Sequence, residues 1–425
     1  MRQIIIVLLI SLAIISGCAG PATKPPETIT PPPQEITAQP PTDDARQQKI
    51  NQALVQITSQ DSNERGNAVL ALRDLGAKEA APQITELLQD NDSWVLQMAI
   101  GALGELGAKE AIPAITRLLQ DNNKLVRSSA IEALGRLGVK ELIPKFTRLL
   151  QDTDSWIIES AAFALGYLGA KEAIPDITKL LQDSDSDVRQ SAIEVLGELG
   201  AKEAIPQITG FLQDNYFSVR RSAVSALGKL GAKEAIPDIT KLLNDPKVCD
   251  SALSALVKLG AKETIPEITK LLQDNEEDVR RTAIDALVNL DAKEAIPDIT
   301  KLLQDTDSWI IESAIHALGD LGAKEAIPDI TKLLQDGNPY VRQSAIDALG
   351  KLDAREAVPE LVKFLDDEND YTRGITAVVL VELGAKDKVT TKAIEAIKPL
   401  LNRGDDYSSR ARKALKELGV SGSSK

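Results

Sequence analysis

The chain has almost none of the residues that carry covalent, redox or metal chemistry. Its 425 residues include one histidine, His316, two cysteines and two methionines, and aromatic residues make up only 3%. One histidine cannot build a two-metal site, and with a single spare cysteine it cannot complete a structural zinc site. A Ser-His-Asp arrangement would have to use His316, and no nucleophile signature lies near it. No strand pattern occurs anywhere, so no glycine-rich phosphate loop follows a strand. The many carboxylates recur as repeat framework, so no two stand out as a catalytic pair. Positive charge is also short. Against 63 Asp and Glu there are 49 Lys and Arg, a formal charge of −14. Duplex nucleic acid needs a basic surface that releases counterions, and this chain offers the reverse. No cofactor, metal or small-molecule substrate is implied, and the chain reads as a non-enzyme.

The first twenty residues, "MRQIIIVLLISLAIISGCAG", are of a different kind. Arg2 precedes an apolar run from Ile4 to Ile15, short for a bilayer span and suited to a signal peptide. The run closes on Ile15-Ser16-Gly17-Cys18, which resembles the bacterial lipobox. That resemblance implies a signal peptide over 1–17 and a lipidated Cys18 at the mature N-terminus. Ala19 in place of Asp then favours the outer membrane, on its periplasmic face, if the host has two membranes. Two or three acyl chains anchor stably where one does not. With Cys18 lipidated, Cys249 stands alone and no intramolecular disulfide can form. Residues 18–43 contain eight prolines and too little apolar content for a core. They read as an extended spacer of about 3.1 Å per residue, roughly 75 Å when fully drawn out.

Prolines then recur at 82, 113, 144, 175, 206, 237, 266, 297, 328 and 359, at intervals of 31 with a single interval of 29. Such a period means stacked supersecondary units. It explains a long duplication: Gln151–Asp183 and Gln304–Asp336 differ only at 162/315, 163/316 and 167/320. Their offset of 153 is five periods of 31 less two residues.

The unit Gly169–Gly200 can be read physically. Ala173, Ile174, Ile177, Leu180 and Leu181 predict one amphipathic helix over Lys171–Gln182, with Pro175 in its first turn. Asp185 predicts an N-cap, and Asp or Asn stands at the matching place in other units: 92, 123, 154, 245, 307, 338 and 369. Val188, Ala192, Ile193, Leu196 and Leu199 form the second apolar stripe, and Gly200 suits a left-handed stop. Gly197 lies inside that second helix, with Gly104, Gly135, Gly166, Gly228, Gly319 and Gly350 at equivalent places. Each costs about 1 kcal/mol against Ala, so a neighbouring helix must come close there. A 31-residue pair cannot bury two apolar faces alone, whereas a stack can. Leu-Gly and Leu-Asp endings count twelve pairs over 44–419, followed by a flexible tail at 420–425.

The string L-G-A-K-E-A-I-P-x-I-T-x-L-L-Q-D, followed by V-R-x-S-A-I-x-A-L-G, resembles HEAT-like repeats of the phycobilin-lyase type. The resemblance implies an all-α, right-handed α-solenoid whose second helices line a concave groove. Two enzymes share such repeats. Deoxyhypusine hydroxylase needs several His-Glu pairs, which one histidine cannot supply, and a bilin lyase would work in the cytoplasm, against the export signal.

Differences between units concentrate on one stripe of the second helix, at the places of Asp187, Glu194 and Glu198. Trp94, Trp156 and Trp309 share the first place, and each is followed two residues on by Leu96, Ile158 or Ile311, where most units have Arg. The fourth unit presents Trp156, Phe163 and Tyr167; the ninth presents Trp309, His316 and Asp320. The expectation is a lipid-anchored scaffold that binds a protein or peptide in this groove, the passive envelope spacer being the alternative. Trp156, Phe163 and Tyr167 form the apolar centre, edged by Arg221 and Lys229, with Trp309 and His316 further along. Such an edge suits a peptide with apolar anchors and an acidic flank.

Overall fold

The computed structural model describes residues 43–402 and 406–420. The signal peptide, Cys18 and the proline-rich segment, apart from Asp43, lie outside the described residues, as do residues 421–425. The chain divides into two compact units, Met1–Asn51 and Gln52–Lys425. Of the first, the described part is the opening of a helix, Asp43–Gln56, that runs across the boundary.

The second unit alternates short first helices with longer second helices, and no strand occurs among the described residues. The twelve second helices are Ser62–Asp74, Ser93–Leu106, Lys124–Arg136, Ser155–Tyr167, Ser186–Leu199, Phe217–Leu230, Cys249–Leu259, Glu277–Asn289, Ser308–Asp320, Pro339–Lys351, Asp370–Glu382 and Asp406–Glu417. They define repeats 1 to 12. The α-solenoid expected from the period is therefore present.

The first helices are not the single α-helices expected. In repeat 5 the segment comprises a 3₁₀ turn at Lys171–Ala173, an α-helix at Ile174–Lys179 and a second 3₁₀ turn at Leu180–Gln182. Pro175 accounts for the first break, since it has no N–H to donate and favours the opening turn of an α-helix. Short helices tighten at their ends in this way. The Thr178 hydroxyl donates to the Ile174 carbonyl at 2.7 Å, and the equivalent bond recurs at Thr209, Thr240, Thr269, Thr300 and Thr331.

Most connections are held by two successive side-chain turns, the exceptions being those into the helices of repeats 6, 7 and 8, which have no side-chain cap. Asp183 accepts from the Asp185 N–H at 2.8 Å, and Asp185 caps the next helix by accepting from the Asp187 N–H at 2.9 Å. Asp245 does not take the capping role expected of it. The helix of repeat 7 starts at Cys249 after Val248, which offers no side-chain cap. Asp245 instead accepts from the Lys247 N–H at 3.1 Å, as Asp214 does from Tyr216 at 2.9 Å. The two missing residues thus fall after Asp245. The loop is kept because its carboxylate also receives Arg220, at 2.6 Å, and the helix is shortened to 11 residues.

Helix exits follow the left-handed stop. Gly200 sits at φ 70°, and Asp291 and Asp353 adopt the same turn at φ 52° and 53° where other repeats have glycine.

The interior glycines explain how the repeats stack. A Cβ on Gly135 would lie 2.6 Å from the Ala164 Cα, and one on Gly197 would lie 3.0 Å from the Ala226 Cβ. Gly104 meets Ala133 and Gly228 meets Ala255 in the same manner. Consecutive second helices therefore touch almost backbone to backbone. Consecutive first helices pack against one another far less. The second helices accordingly form the closely packed side of the stack.

The seam separates two outcomes. At Gly319 the nearest neighbour of a Cβ would be 3.5 Å away, an ordinary contact. Gly319→Ala is expected to be neutral or to stabilise by up to about 1 kcal/mol through helix propensity. Gly135→Ala is expected to destabilise by about 1–3 kcal/mol, because backbone must move. Paired denaturant melts check both, and equal effects would contradict the seam.

Candidate functional site

Two features of the second helices hold repeats together, and they must be separated from any surface left over for a ligand. The first is an arginine ladder. Arg65, Arg189, Arg220 and Arg280 each pair with an aspartate of the next repeat: Asp90 at 2.7 Å, Asp214 at 3.2 Å, Asp245 at 2.6 Å and Asp305 at 3.2 Å. Each also donates to two carbonyls of its own loop, as Arg189 does to Asp183 and Ser184. The pairs are largely shielded from water, and Arg65 holds the Asp90 carboxyl below the usual carboxylate range.

Leu96, Ile158 and Ile311 replace this arginine and are buried. The tryptophan two residues before each fares differently. A Cβ on Gly66 would run into the ring of Trp94, so that indole fills the notch a glycine leaves one repeat back. Ser128 stands at the matching place before Trp156, which is half-buried. Arg281 stands there before Trp309, which is 74% exposed. A glycine leaves room for an indole, and an arginine occupies it.

The second feature runs along the stripe itself. At the place of Glu198, neighbouring repeats are joined by Arg73–Glu105 at 3.6 Å, Glu198–Lys229 at 2.5 Å and Asp320–Lys351 at 2.9 Å. In repeats 3 and 4 the Arg136 guanidinium lies 4.5 Å from the centre of the Tyr167 ring instead. A turn further back, serine hydroxyls reach carboxylates of the preceding repeat: Ser222 to Glu194 at 2.7 Å and Ser160 to Glu132 at 3.3 Å. His316 takes that carboxylate's place in repeat 9 and meets the Ser344 hydroxyl at 3.2 Å. Partial burial of its ring, with Lys351 beside it, holds the imidazole below its ordinary pKa.

The stripe has a closed end. Arg410 of the last helix reaches past repeat 11 to Asp347 at 2.5 Å and also grips Glu382 at 2.9 Å. Tyr407 sets its ring edge-on to Tyr371, with centroids 6.2 Å apart. The last repeat therefore lies over the stripe of repeats 10 and 11.

A profile of HEAT repeats matches the chain in overlapping windows from 51–135 to 327–418. The chain belongs to the HEAT-repeat family. No curated protein sequence matches this HEAT-repeat protein. Among solved structures, an engineered protein is 22% identical and covers 87% of this chain and 99% of its own, at a TM-score of 0.32. Kap95p, solved with RanGDP, is 14% identical over 87% of this chain at a TM-score of 0.57. The HEAT-repeat protein spans 60% of the Kap95p chain, and at that identity the likeness is one of fold.

The residues singled out from sequence stand as follows. Trp156 and Phe163 are half-buried on the helix Ser155–Tyr167, and Tyr167 is 48% exposed beneath Arg136. Arg221 is exposed, its guanidinium 6.0 Å from the centre of the Phe217 ring, while Lys229 is engaged by Glu198. Trp309 and His316 share the helix Ser308–Asp320, five repeats further on. Cys18 lies outside the described residues. Cys249 is buried and its thiol is pushed up to about 11, mainly by burial. Among the described residues no group of three or more His, Cys, Asp or Glu side chains is arranged to hold a metal ion.

Sequence reasoning missed Glu159, on the turn between the stripe places it used. Burial, then Asp187, Asp185 and Glu132, push this carboxyl up to about 8, opposed by a hydrogen bond from Ser191. Folded, Glu159 keeps its proton to about pH 8; unfolded, it loses it near 4.5. The group therefore favours the folded state fully below pH 4.5, and that contribution is lost as pH rises through 8, with a slope of at most about 1.4 kcal/mol per pH unit. Glu159→Gln is expected to be more stable than wild type above pH 8 and to lose that advantage towards pH 4.5. Denaturant melts across this range check it, and a pH-independent difference would contradict it.

Proposed function

We propose that this HEAT-repeat protein is a non-enzymatic scaffold that binds a protein or peptide along the second-helix stripe, at the cell envelope. One observation carries the reading. All five exposed aromatic residues among the described ones, Tyr167, Tyr216, Phe217, Trp309 and Tyr340, lie on second helices or at their caps. None lies on a first helix. Exposed aromatics on a concave surface are favoured anchors for a partner. Kap95p, of similar fold, binds RanGDP, which supports a protein partner by analogy of fold.

Within the stripe, Trp156, Phe163 and Tyr167 are the apolar centre, with Arg221 and Lys229 at the edge and Trp309 and His316 beyond. Anchoring is proposed on Ile15-Ser16-Gly17-Cys18, through lipid on Cys18, with 18–43 as the spacer and the outer membrane's periplasmic face as the site in a two-membrane host.

Pull-down from solubilised envelope with the full chain identifies the partner. Phe163→Ala and Tyr167→Ala are then expected to weaken its binding by about thirtyfold each, the effect of losing one anchor worth about 2 kcal/mol. Tyr167→Ala should leave the melting temperature nearly unchanged, and Lys301→Ala on a first helix serves as control. Wild-type affinity in both aromatic variants would remove these residues from the site. For the anchor, wild type should take up labelled palmitate and sediment with membranes, whereas Cys18→Ser should do neither. A Cys18→Ser protein that stays in the membrane fraction would overturn lipidation.

A further inference from the structure

The far end of the stripe differs in chemistry from the segment around Tyr167. Trp309 is 74% exposed, and Tyr340, 54% exposed, occupies the same place one repeat on. Consecutive second helices lie roughly 8–10 Å apart, so the two exposed rings occupy neighbouring places on one side of the stack. Among the described residues Trp309 is the most exposed of the aromatic side chains. The segment next to it is acidic. Asp307 caps the helix beneath the indole, accepting from the Trp309 N–H at 2.7 Å. The Glu277 carboxyl of the preceding repeat lies near Asp307, which pushes its pKa up, and Glu312 stands one turn along the helix from Trp309. None of these three carboxyls is in an ion pair among the described residues. Of the cations nearby, Arg280 attracts Glu277 but is paired with Asp305 at 3.2 Å, Arg281 is paired with Asp278 at 3.0 Å and Lys351 with Asp320 at 2.9 Å.

We propose that the face formed by Trp309, Tyr340, Glu277, Asp307 and Glu312 docks a basic peptide segment, with a lysine or arginine side chain laid across the Trp309 ring. An indole is the strongest aromatic platform for a cation, and its attraction grows as the cation is desolvated. The aliphatic stem of lysine or arginine covers the apolar ring while its charged head reaches carboxylates at the rim. A bound cation would offset the repulsion that Glu277 feels from Asp307 beside it. An anionic partner meets the opposite situation, since the same three carboxyls would repel it. This face rests on the reading of the stripe as a binding surface, but it lies five repeats from Tyr167 and takes a partner segment of opposite charge to the one expected at Arg221.

The test uses the full chain and two labelled short peptides, one alternating Lys with Leu and one alternating Glu with Leu. Fluorescence anisotropy should show binding of the lysine peptide, weakened by salt, and none of the glutamate peptide. Trp309→Ala should weaken the lysine peptide about tenfold or more, with Trp309→Phe intermediate, because phenylalanine keeps part of the platform. The pair Glu277→Gln and Glu312→Gln should weaken it as well, whereas Asp238→Asn and Asp298→Asn on first helices should not. Equal loss in both charge pairs would mean that net charge alone attracts the peptide, and would overturn the proposal. So would wild-type affinity in Trp309→Ala, or equal binding of the two peptides. Phe163→Ala should leave the lysine peptide unaffected, so a failure here and a failure at the Tyr167 segment are read separately.

Discussion

The near-contact of glycine with alanine between consecutive second helices is the constraint on which the rest depends. At Gly135 and Ala164 the backbones are so close that a single methyl group has no room. Contact of this kind on one side, with looser packing of the first helices on the other, sets the register of the stack. It also lines up the next stripe of residues, one repeat after another. Glycine inside a helix costs roughly 1 kcal/mol against alanine. Recurrence at seven repeats shows what close stacking returns in buried area and dispersion contacts.

Charge does a second job on the same helices. The arginine ladder joins loop to loop, and the pairs at the place of Glu198 join stripe to stripe, so many charged residues are occupied in holding repeats together. Surface pairs contribute little individually, but those of the ladder are shielded, with loop carbonyls holding the arginine and backbone N–H groups holding the aspartate. Where the ladder is interrupted, at Leu96, Ile158 and Ile311, cohesion passes to apolar contact. The indole that accompanies each interruption is used for packing at Trp94 and left to solvent at Trp309.

Most of the fold was legible in the sequence. The 31-residue period, the proline in each first turn, the capping aspartates and the interior glycines are local or strictly repeated signals, and helices form where they say. Errors arose where a tertiary partner overrides local pattern. Asp245 has the look of a cap, yet Arg220 claims its loop, so the deletion was taken from the helix instead. The first helices read as single amphipathic segments, since 3₁₀ turns and α-helix share nearly the same apolar spacing over one or two turns.

The candidate site was legible only as a stripe. Which residues vary follows from aligning the repeats, and that pointed to Trp156, Phe163, Tyr167, Trp309 and His316. Whether a side chain on that stripe is free depends on the residue 28 or 31 positions earlier, on the neighbouring helix. Lys229 is held by Glu198, Tyr167 lies under Arg136, and the last helix brings Arg410 across to Asp347 from 63 residues away. Sequence alone determined the repeat, its helices and the face on which the repeats differ, because periodicity records which side chains must be buried. Only the tertiary structure decided which members of that face remain exposed, because exposure depends on the volume and charge of a neighbour that the period places but does not specify.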